Sequence, residues 1–358
     1  MDYNSRLSNR NNNFDLLRLV AAFLVLISHC FHIRGIRNLE PLARLTSGSY
    51  LLSYIGLAIF FTISGFLICK SLVESYSVKS FLLKRFLRIW PALFFNVVVT
   101  VLFVGIFISS LRFAEFLIHP QTLKYFFVNI SLLHTSLILP GSFNGQRVNI
   151  PLWTIPFEVQ LYFLLLLAFL MGLFKRKMIL VFAGLLYILF LIGFYRQWFP
   201  FLNKALDQKK YYFIWCLYFL AGALLYLYKD KIRFKLSILI VMVVVCFFAF
   251  RFLRPYFDIF LCFLLSYSTL FVAYGIPKLV QLNADLSYGI YLYAYPIQLV
   301  VEHSGGKNLT LPVYIILVAL ITIVFAFASW FLIEKKALSF KNRSQKKISG
   351  ILSASPRF

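Results

Sequence analysis

Charged residues, acidic ones above all, are scarce in this chain. Only 13% of its 358 residues are charged, with 36 Lys and Arg against 12 Asp and Glu, whereas 61% are hydrophobic and the mean hydropathy is +0.84. Soluble globular proteins are about 25% charged and about 45–50% apolar. A water-soluble fold cannot bury this much apolar surface, so the composition predicts a protein whose solvent is lipid.

Cysteine pairs, metal-ligand spacings and internal repeats are also missing. The five cysteines are odd in number and scattered through apolar segments, which predicts small buried side chains and no metal site: Cys30, Cys69, Cys216, Cys246 and Cys262. No cleavable signal peptide is apparent, because the polar leader 1–13 runs into an apolar stretch without a small-residue cleavage site. We expect one membrane domain over 14–334, followed by a basic tail, 335–358.

About ten apolar stretches have the length of a bilayer span, roughly 17–25 residues. They lie near 14–34, 50–71, 87–109, 152–174, 178–196, 211–228, 234–251, 256–274, 286–303 and 311–334. None shows the period-2 alternation of a lipid-facing strand. The prediction is an all-α polytopic protein with about ten transmembrane helices in one bundle.

The basic residues predict the orientation, because Lys and Arg concentrate in cytoplasmic loops. With both termini in the cytoplasm, 22 of them lie inside and 13 outside. If the segment Lys124–Leu139 also crossed, the counts would become 15 and 20, which favours a re-entrant or interfacial segment over a crossing. The net charge of +24 then reflects topology and attraction to anionic head groups in the inner membrane, and we expect no nucleic-acid partner.

The first span carries ionisable groups, which are costly in hydrocarbon and therefore usually functional. Arg18 and His29 are eleven positions apart, so they share a helix face about 16 Å apart along its axis. Asp15 precedes Arg18 by three residues and can pair with it. Arg18 has the alternative of snorkelling to the head groups, and His29 that of an interhelical hydrogen bond.

Two further groups stand out. Arg85 and Arg88 are i, i+3 neighbours at the start of the third span, where guanidinium forks suit phosphate but topology alone also explains basic residues. Glu158 is the only acidic residue between Glu115 and Asp207, set in an apolar segment. A carboxyl there can exchange a proton near neutrality, or it can form a structural ion pair.

Together these residues resemble acyltransferase family 3, integral membrane proteins that acylate sugars. The resemblance covers Phe14 to about Glu334. Besides Asp15, Arg18 and His29, it includes Arg85 and Arg88 before a Trp-Pro. Three motifs complete it: IFFTISGFLI (Ile59–Ile68), LWTIPFEVQLY (Leu152–Tyr162) and LSYGIYLYAYPI (Leu286–Ile297).

The resemblance implies an O-acyltransferase that moves an acyl group, usually acetyl, from cytoplasmic acyl-CoA to a hydroxyl of a glycan such as a surface polysaccharide, an O-antigen or a lipid-linked sugar. It implies no tightly bound cofactor. His29 would be the catalytic residue and Arg18 would position the donor, with Arg85 and Arg88 near the donor phosphates and Glu158 at the family's acidic position. Ala294 departs from the family, because similar proteins often have a His there.

Two other classes share parts of this pattern. A secondary transporter also has many spans and buried charges, but typically shows paired repeats with broken helices. A glycan flippase or polymerase is the other alternative. A large outer loop would indicate a polymerase, but the longest outer loop here runs only from about Ser110 to Pro151. The sequence does not specify the acceptor sugar or the oligomeric state. It also leaves open whether His29 deprotonates the hydroxyl directly or carries the acyl group as a covalent intermediate.

Overall fold

Ten long helices dominate the part of the chain that the structure describes. The computed structural model describes residues 12–75, 77–174, 177–198 and 210–340, and within them it contains no β-strand. The long helices are α1 Phe14–Ile33, α2 Leu52–Glu74, α3 Val78–Phe107, α4 Thr154–Leu170, α5 Lys177–Tyr195, α6 Lys210–Leu227, α7 Leu236–Phe252, α8 Phe257–Leu270, α9 Ser287–His303 and α10 Leu311–Ser329. The predicted all-α class is confirmed.

Each predicted apolar stretch overlaps one of these helices, but the helices differ in length. Among the described residues, six helical segments are long and apolar enough to cross a bilayer: Phe14–Ile33, Leu52–Glu74, Val78–Phe107, Ile150–Leu170, Arg254–Gly275 and Leu311–Phe340. The last two are longer than α8 and α10 because they also include π-helical turns at Phe271–Gly275 and Trp330–Glu334. The first of them further includes the 3-10 turn Arg254–Tyr256, and the second continues as helix to Phe340. The count of ten spans is therefore not established, whereas a multi-span helical protein is.

Helix α3 begins nine residues before the predicted start at 87. Ser77 caps it by accepting a hydrogen bond from the Ser80 N–H, a local signal that apolar periodicity does not register. Arg85 and Arg88 consequently lie within the helix, about two and three turns from its start, and not at its first turn.

The segment predicted not to cross begins in a short helix, Pro120–Ile130. Eleven residues rise about 16 Å, roughly half of the hydrocarbon thickness. In the last turn of this helix the Asn129 amide donates to the carbonyl oxygens of Tyr125 and Ser136, and beyond the helix Leu132 has a positive φ of 62°. Between Ile130 and α4 the chain contains only two short 3-10 turns, Phe143–Gly145 and Ile150–Trp153.

The described residues belong to two compact units. Unit 1 comprises Met1–Val25, Ser49–Glu74 and Phe157–Asn283, and unit 2 comprises Leu26–Gly48, Ser75–Pro156 and Ala284–Phe358. Of the leader, 1–11 lies outside the described residues, as does 341–358 of the tail.

Unit 1 has its closest packing between α2 and α6. A methyl group added to Gly65 would collide with the Phe219 carbonyl oxygen, and one added to Gly222 with that of Thr62. Small residues that let helix backbones touch are the usual means of helix association in lipid. At the start of α1, the buried Asn13 amide donates to the carbonyl oxygens of Val272 and Pro277.

Unit 2 has α9 at its centre, with eleven of its seventeen residues buried. Pro296 has no N–H, so the Leu292 carbonyl lacks its helical donor. The side-chain amides of Asn96 and Asn149 donate to that carbonyl at 3.1 Å and 3.0 Å. The carbonyl that Pro296 leaves without a helical donor is thus satisfied by α3 and by the loop that leads into α4.

Candidate active site

Arg18 and Asp15 form an ion pair in the first turns of α1. Nη2 of Arg18 lies 2.7 Å from Oδ1 of Asp15, which confirms the i, i+3 pairing predicted from the sequence. The Asp15 side chain is 54% exposed and that of Arg18 is 21% exposed. An acidic residue in the first turn also complements the helix dipole, so Asp15 favours helix initiation and fixes Arg18.

His29 lies eleven residues further along the same helix and is half-buried. Its ring packs edge-on against Tyr295 of α9, with ring centroids 5.2 Å apart and an interplanar angle of 82°. A second histidine, His32, is exposed, with its ring centroid 6.3 Å from that of His29. Of these two histidines, His29 contacts α9. It is also partly accessible, as a side chain that exchanges protons with a substrate must be.

A buried carboxyl group lies beside the residue preceding His29. Ser28 donates to Oε2 of Glu40 at 3.0 Å, and Glu40 is fully buried in the loop that follows α1. Sequence reasoning missed Glu40, because it sits in a short polar stretch that resembles an ordinary loop. Its position shows that this loop folds back onto the His29 end of α1.

Arg88 lies between two carboxylates. Its Nη2 is 2.6 Å from Oδ2 of Asp285, just before α9, and its Nη1 is 4.0 Å from Oε2 of Glu334. Asp285 also accepts a hydrogen bond from Ser287, and Glu334 one from Ser329. Arg88 therefore connects α3 to the start of α9 and to the π-helical end of α10, while its neighbour Arg85 is half-buried.

Glu158 lies in unit 1 and is bonded to two hydroxyl groups. Its Oε1 accepts hydrogen bonds from Ser64 of α2 and from Tyr162, one turn later in α4, each at 2.5 Å. Ser64 belongs to the motif Ile59–Ile68, and Glu158 and Tyr162 belong to the motif Leu152–Tyr162. Two motifs that are about ninety residues apart in sequence thus meet at one carboxylate.

The predicted site residues are divided between the units. Asp15, Arg18 and Glu158 lie in unit 1, and His29, Arg85 and Arg88 lie in unit 2. The structure adds further polar partners that the sequence did not single out: Ser64, Tyr162, Glu40, Asp285, Tyr295 and Glu334. Three of these residues could have been found from the sequence, because Ser64, Tyr162 and Tyr295 lie within the family motifs quoted above.

Comparison with known proteins agrees with this arrangement of motifs. A family profile described as an acyltransferase domain matches residues 11–331, which include all six predicted site residues. The chain belongs to acyltransferase family 3. It is therefore an acyltransferase, and its apolar helices make it a multi-pass membrane protein.

Two relatives of this acyltransferase are similar over different extents. The O-acetyl transferase of Shigella phage Sf6 is 29% identical over 359 aligned residues, which cover 95% of this chain and 99% of that protein. Nodulation protein 10 of Rhizobium leguminosarum bv. viciae is 47% identical over 96 residues, 27% of this chain and 26% of that protein. No solved structure matches this acyltransferase.

Proposed function

We propose that this acyltransferase moves an acetyl group from cytoplasmic acetyl-CoA to a hydroxyl of a surface or lipid-linked glycan. It would work in the inner membrane with both termini in the cytoplasm. The near full-length similarity to a protein named O-acetyl transferase supports the acetyl group and the oxygen acceptor. The excess of basic residues in the loops assigned to the cytoplasm supports an anionic donor on that side.

The observation that carries the proposal is the position of His29. This imidazole is half-buried against Tyr295 and lies on the helix that also carries the Asp15–Arg18 pair, about 16 Å away along the axis. Imidazole is suited to accept a proton near neutral pH. In the proposed reaction His29 takes the hydroxyl proton, the hydroxyl oxygen bonds to the thioester carbonyl carbon, the C–S bond breaks, and the proton passes to the departing thiolate.

The basic residues and Glu158 have supporting roles in this proposal. Arg18, Arg85 and Arg88 favour binding of the anionic donor, whose phosphate oxygens match guanidinium forks. Asp15 orients Arg18 through the ion pair. Glu158, bonded to Ser64 and Tyr162, is proposed as a second acid–base group.

The first experiment compares glycan mass in cells with and without the gene. The glycan whose mass changes is then incubated with the purified protein and radiolabelled acetyl-CoA, and transfer of the label is measured. Acetylation that depends on the gene is expected. A glycan of unchanged mass together with no transfer of label would overturn the proposal.

The second experiment separates chemistry from binding. His29→Ala should lower turnover by roughly 10²–10⁴-fold, the usual contribution of an acid–base group, while acetyl-CoA binding stays near that of the wild type. His32→Ala is the matched control, because it removes an exposed histidine one turn away and should retain activity. A His29→Ala protein with wild-type turnover would exclude His29 from the mechanism, and Glu158→Gln would then be tested as the base.

A further inference from the structure

One face of α9 holds the part of α1 that carries His29. Tyr295, Gln298 and Glu302 follow one another at i, i+3 and i+7, so they lie on the same side of α9. Tyr295 packs against His29, and the Gln298 amide donates to the Leu26 carbonyl oxygen and the Cys30 sulfur. Helix α9 therefore contacts α1 at His29 itself and at Leu26 and Cys30, which lie before and after it in the sequence.

The third contact fixes the end of α1. Nε of Arg34 lies 3.2 Å from Oε2 of Glu302, and its guanidinium also donates to the carbonyl oxygens of Gly306 and Leu309. The same guanidinium lies 4.4 Å from the Tyr314 ring centroid. Helix α1 cannot rotate or slide near His29 without breaking several of these contacts.

Tyr295 itself has little freedom to move. Its side chain is buried. Gln298, one turn later, is completely buried, and its backbone carbonyl oxygen accepts a hydrogen bond from the Tyr314 hydroxyl. By contrast, the His29 side chain is only half-buried. An edge-on aromatic contact with a fixed ring restricts the rotamers open to the imidazole.

We propose that Tyr295 is a positioning residue whose ring holds the His29 imidazole in the orientation required for acyl transfer. The inference rests on the proposed function through the role of His29. The ring, and not the hydroxyl, carries the effect, because the contact is between ring edge and ring face. Ala294, next to it, has only a methyl group and cannot take over this task.

Two substitutions separate the ring from the hydroxyl. Tyr295→Phe keeps the ring and should retain kcat within about threefold. Tyr295→Leu keeps an apolar side chain but removes the flat ring, and should lower kcat by about 10- to 100-fold with the KM for acetyl-CoA unchanged, since small misplacements of a reacting group can cost about 10²-fold. Tyr293→Leu is the control, because Tyr293 is a buried tyrosine of the same helix that packs against Phe325.

A double substitution adds a readout that a purely structural role would not change. If Tyr295 acts through His29, the protein with both His29→Ala and Tyr295→Leu should be no slower than the one with His29→Ala alone. The carbethoxylation rate of His29 by diethyl pyrocarbonate, followed by mass spectrometry, tests the same contact without any substrate. That rate should rise in Tyr295→Leu and stay at the wild-type value in Tyr295→Phe.

Three outcomes would overturn the inference: wild-type kcat and His29 reactivity in Tyr295→Leu, equal losses in Tyr295→Phe and Tyr295→Leu, or the same fall in kcat for Tyr293→Leu at matched melting temperature. Failure of the proposed function looks different, because the wild-type protein would then transfer no acetyl group. The His29 modification rates would still decide whether Tyr295 holds the ring.

Discussion

At the scale of single residues, Arg85 and Arg88 offer a test of how the donor is held. Arg→Lys at either position keeps the charge but removes the planar fork, so acetyl-CoA affinity should fall by about tenfold or more, equivalent to about 1.5–3 kcal/mol for a charged hydrogen bond. Arg88→Lys should also lower the melting temperature, because Arg88 is paired with Asp285 and Glu334. Equilibrium binding and thermal denaturation in detergent measure both effects.

Lys79→Ala is the matched control for that experiment. Lys79 is exposed in the first turn of α3, so its loss removes a positive charge from the same helix without breaking a buried contact. Its binding and melting temperature should match the wild type. If both Arg→Lys proteins bind the donor as tightly as this control, the two arginines have a topological role.

The sequence predicted local partners well and distant partners poorly. The Asp15–Arg18 pair follows from helical spacing, because residues three apart are neighbours on any helix. Arg88 and Asp285 are 197 positions apart, and no spacing rule connects them. Tyr295 lay within a recognised motif, but its contact with His29 depends on how α9 packs against α1, which periodicity does not encode.

At the scale of helices, the contact between α2 and α6 should be sensitive to a single methyl group. Gly222→Ala would bring its new methyl against the Thr62 carbonyl oxygen, and such overpacking typically costs about 1–3 kcal/mol. Gly184→Ala in α5 meets only the Leu224 side chain, at 3.7 Å. Since Ala is intrinsically about 0.5–1 kcal/mol better than Gly in a helix, the control should be neutral or stabilising.

Melting temperature in detergent and expression level measure this pair of variants. A Gly222→Ala protein as stable as Gly184→Ala would show that α2 and α6 separate without cost. The close approach in unit 1 would then contribute little to stability.

Helix positions were predictable because ten apolar stretches are a strong signal, but their ends were not. The start of α3 depends on the hydroxyl of Ser77, and the irregular course after Ile130 depends on the Asn129 amide. The π-helical turns that extend α8 and α10 have no counterpart in hydropathy. Single polar groups set these boundaries, so a hydropathy window of about 19 residues averages them away.

At the scale of the whole molecule, the basic residues predict that Asn144 and Gln345 lie on opposite sides of the membrane. The reason is the excess of 22 inner over 13 outer Lys and Arg, which holds only if Lys124–Leu139 does not cross. Single cysteines placed at each position, after the native cysteines are replaced, can be labelled in intact cells with a membrane-impermeant maleimide. Asn144 should react and Gln345 should not, whereas labelling of both would contradict the predicted topology.

The contacts of Asn13 determine how long the start of α1 waits for its partners during synthesis. Its side-chain amide donates to the carbonyl oxygens of Val272 and Pro277, which are 259 and 264 positions further along the chain. At a synthesis rate of about 5–20 residues per second, those partners emerge about 13–50 s after α1. During that interval the first helix lies in the bilayer, or against the insertion machinery, without the hydrogen bonds of Asn13 to Val272 and Pro277. Helix α1 therefore enters the membrane long before its contacts with Val272 and Pro277 form, so lipid or a chaperone must tolerate its carboxylate and its basic groups until shortly before α9 is synthesised.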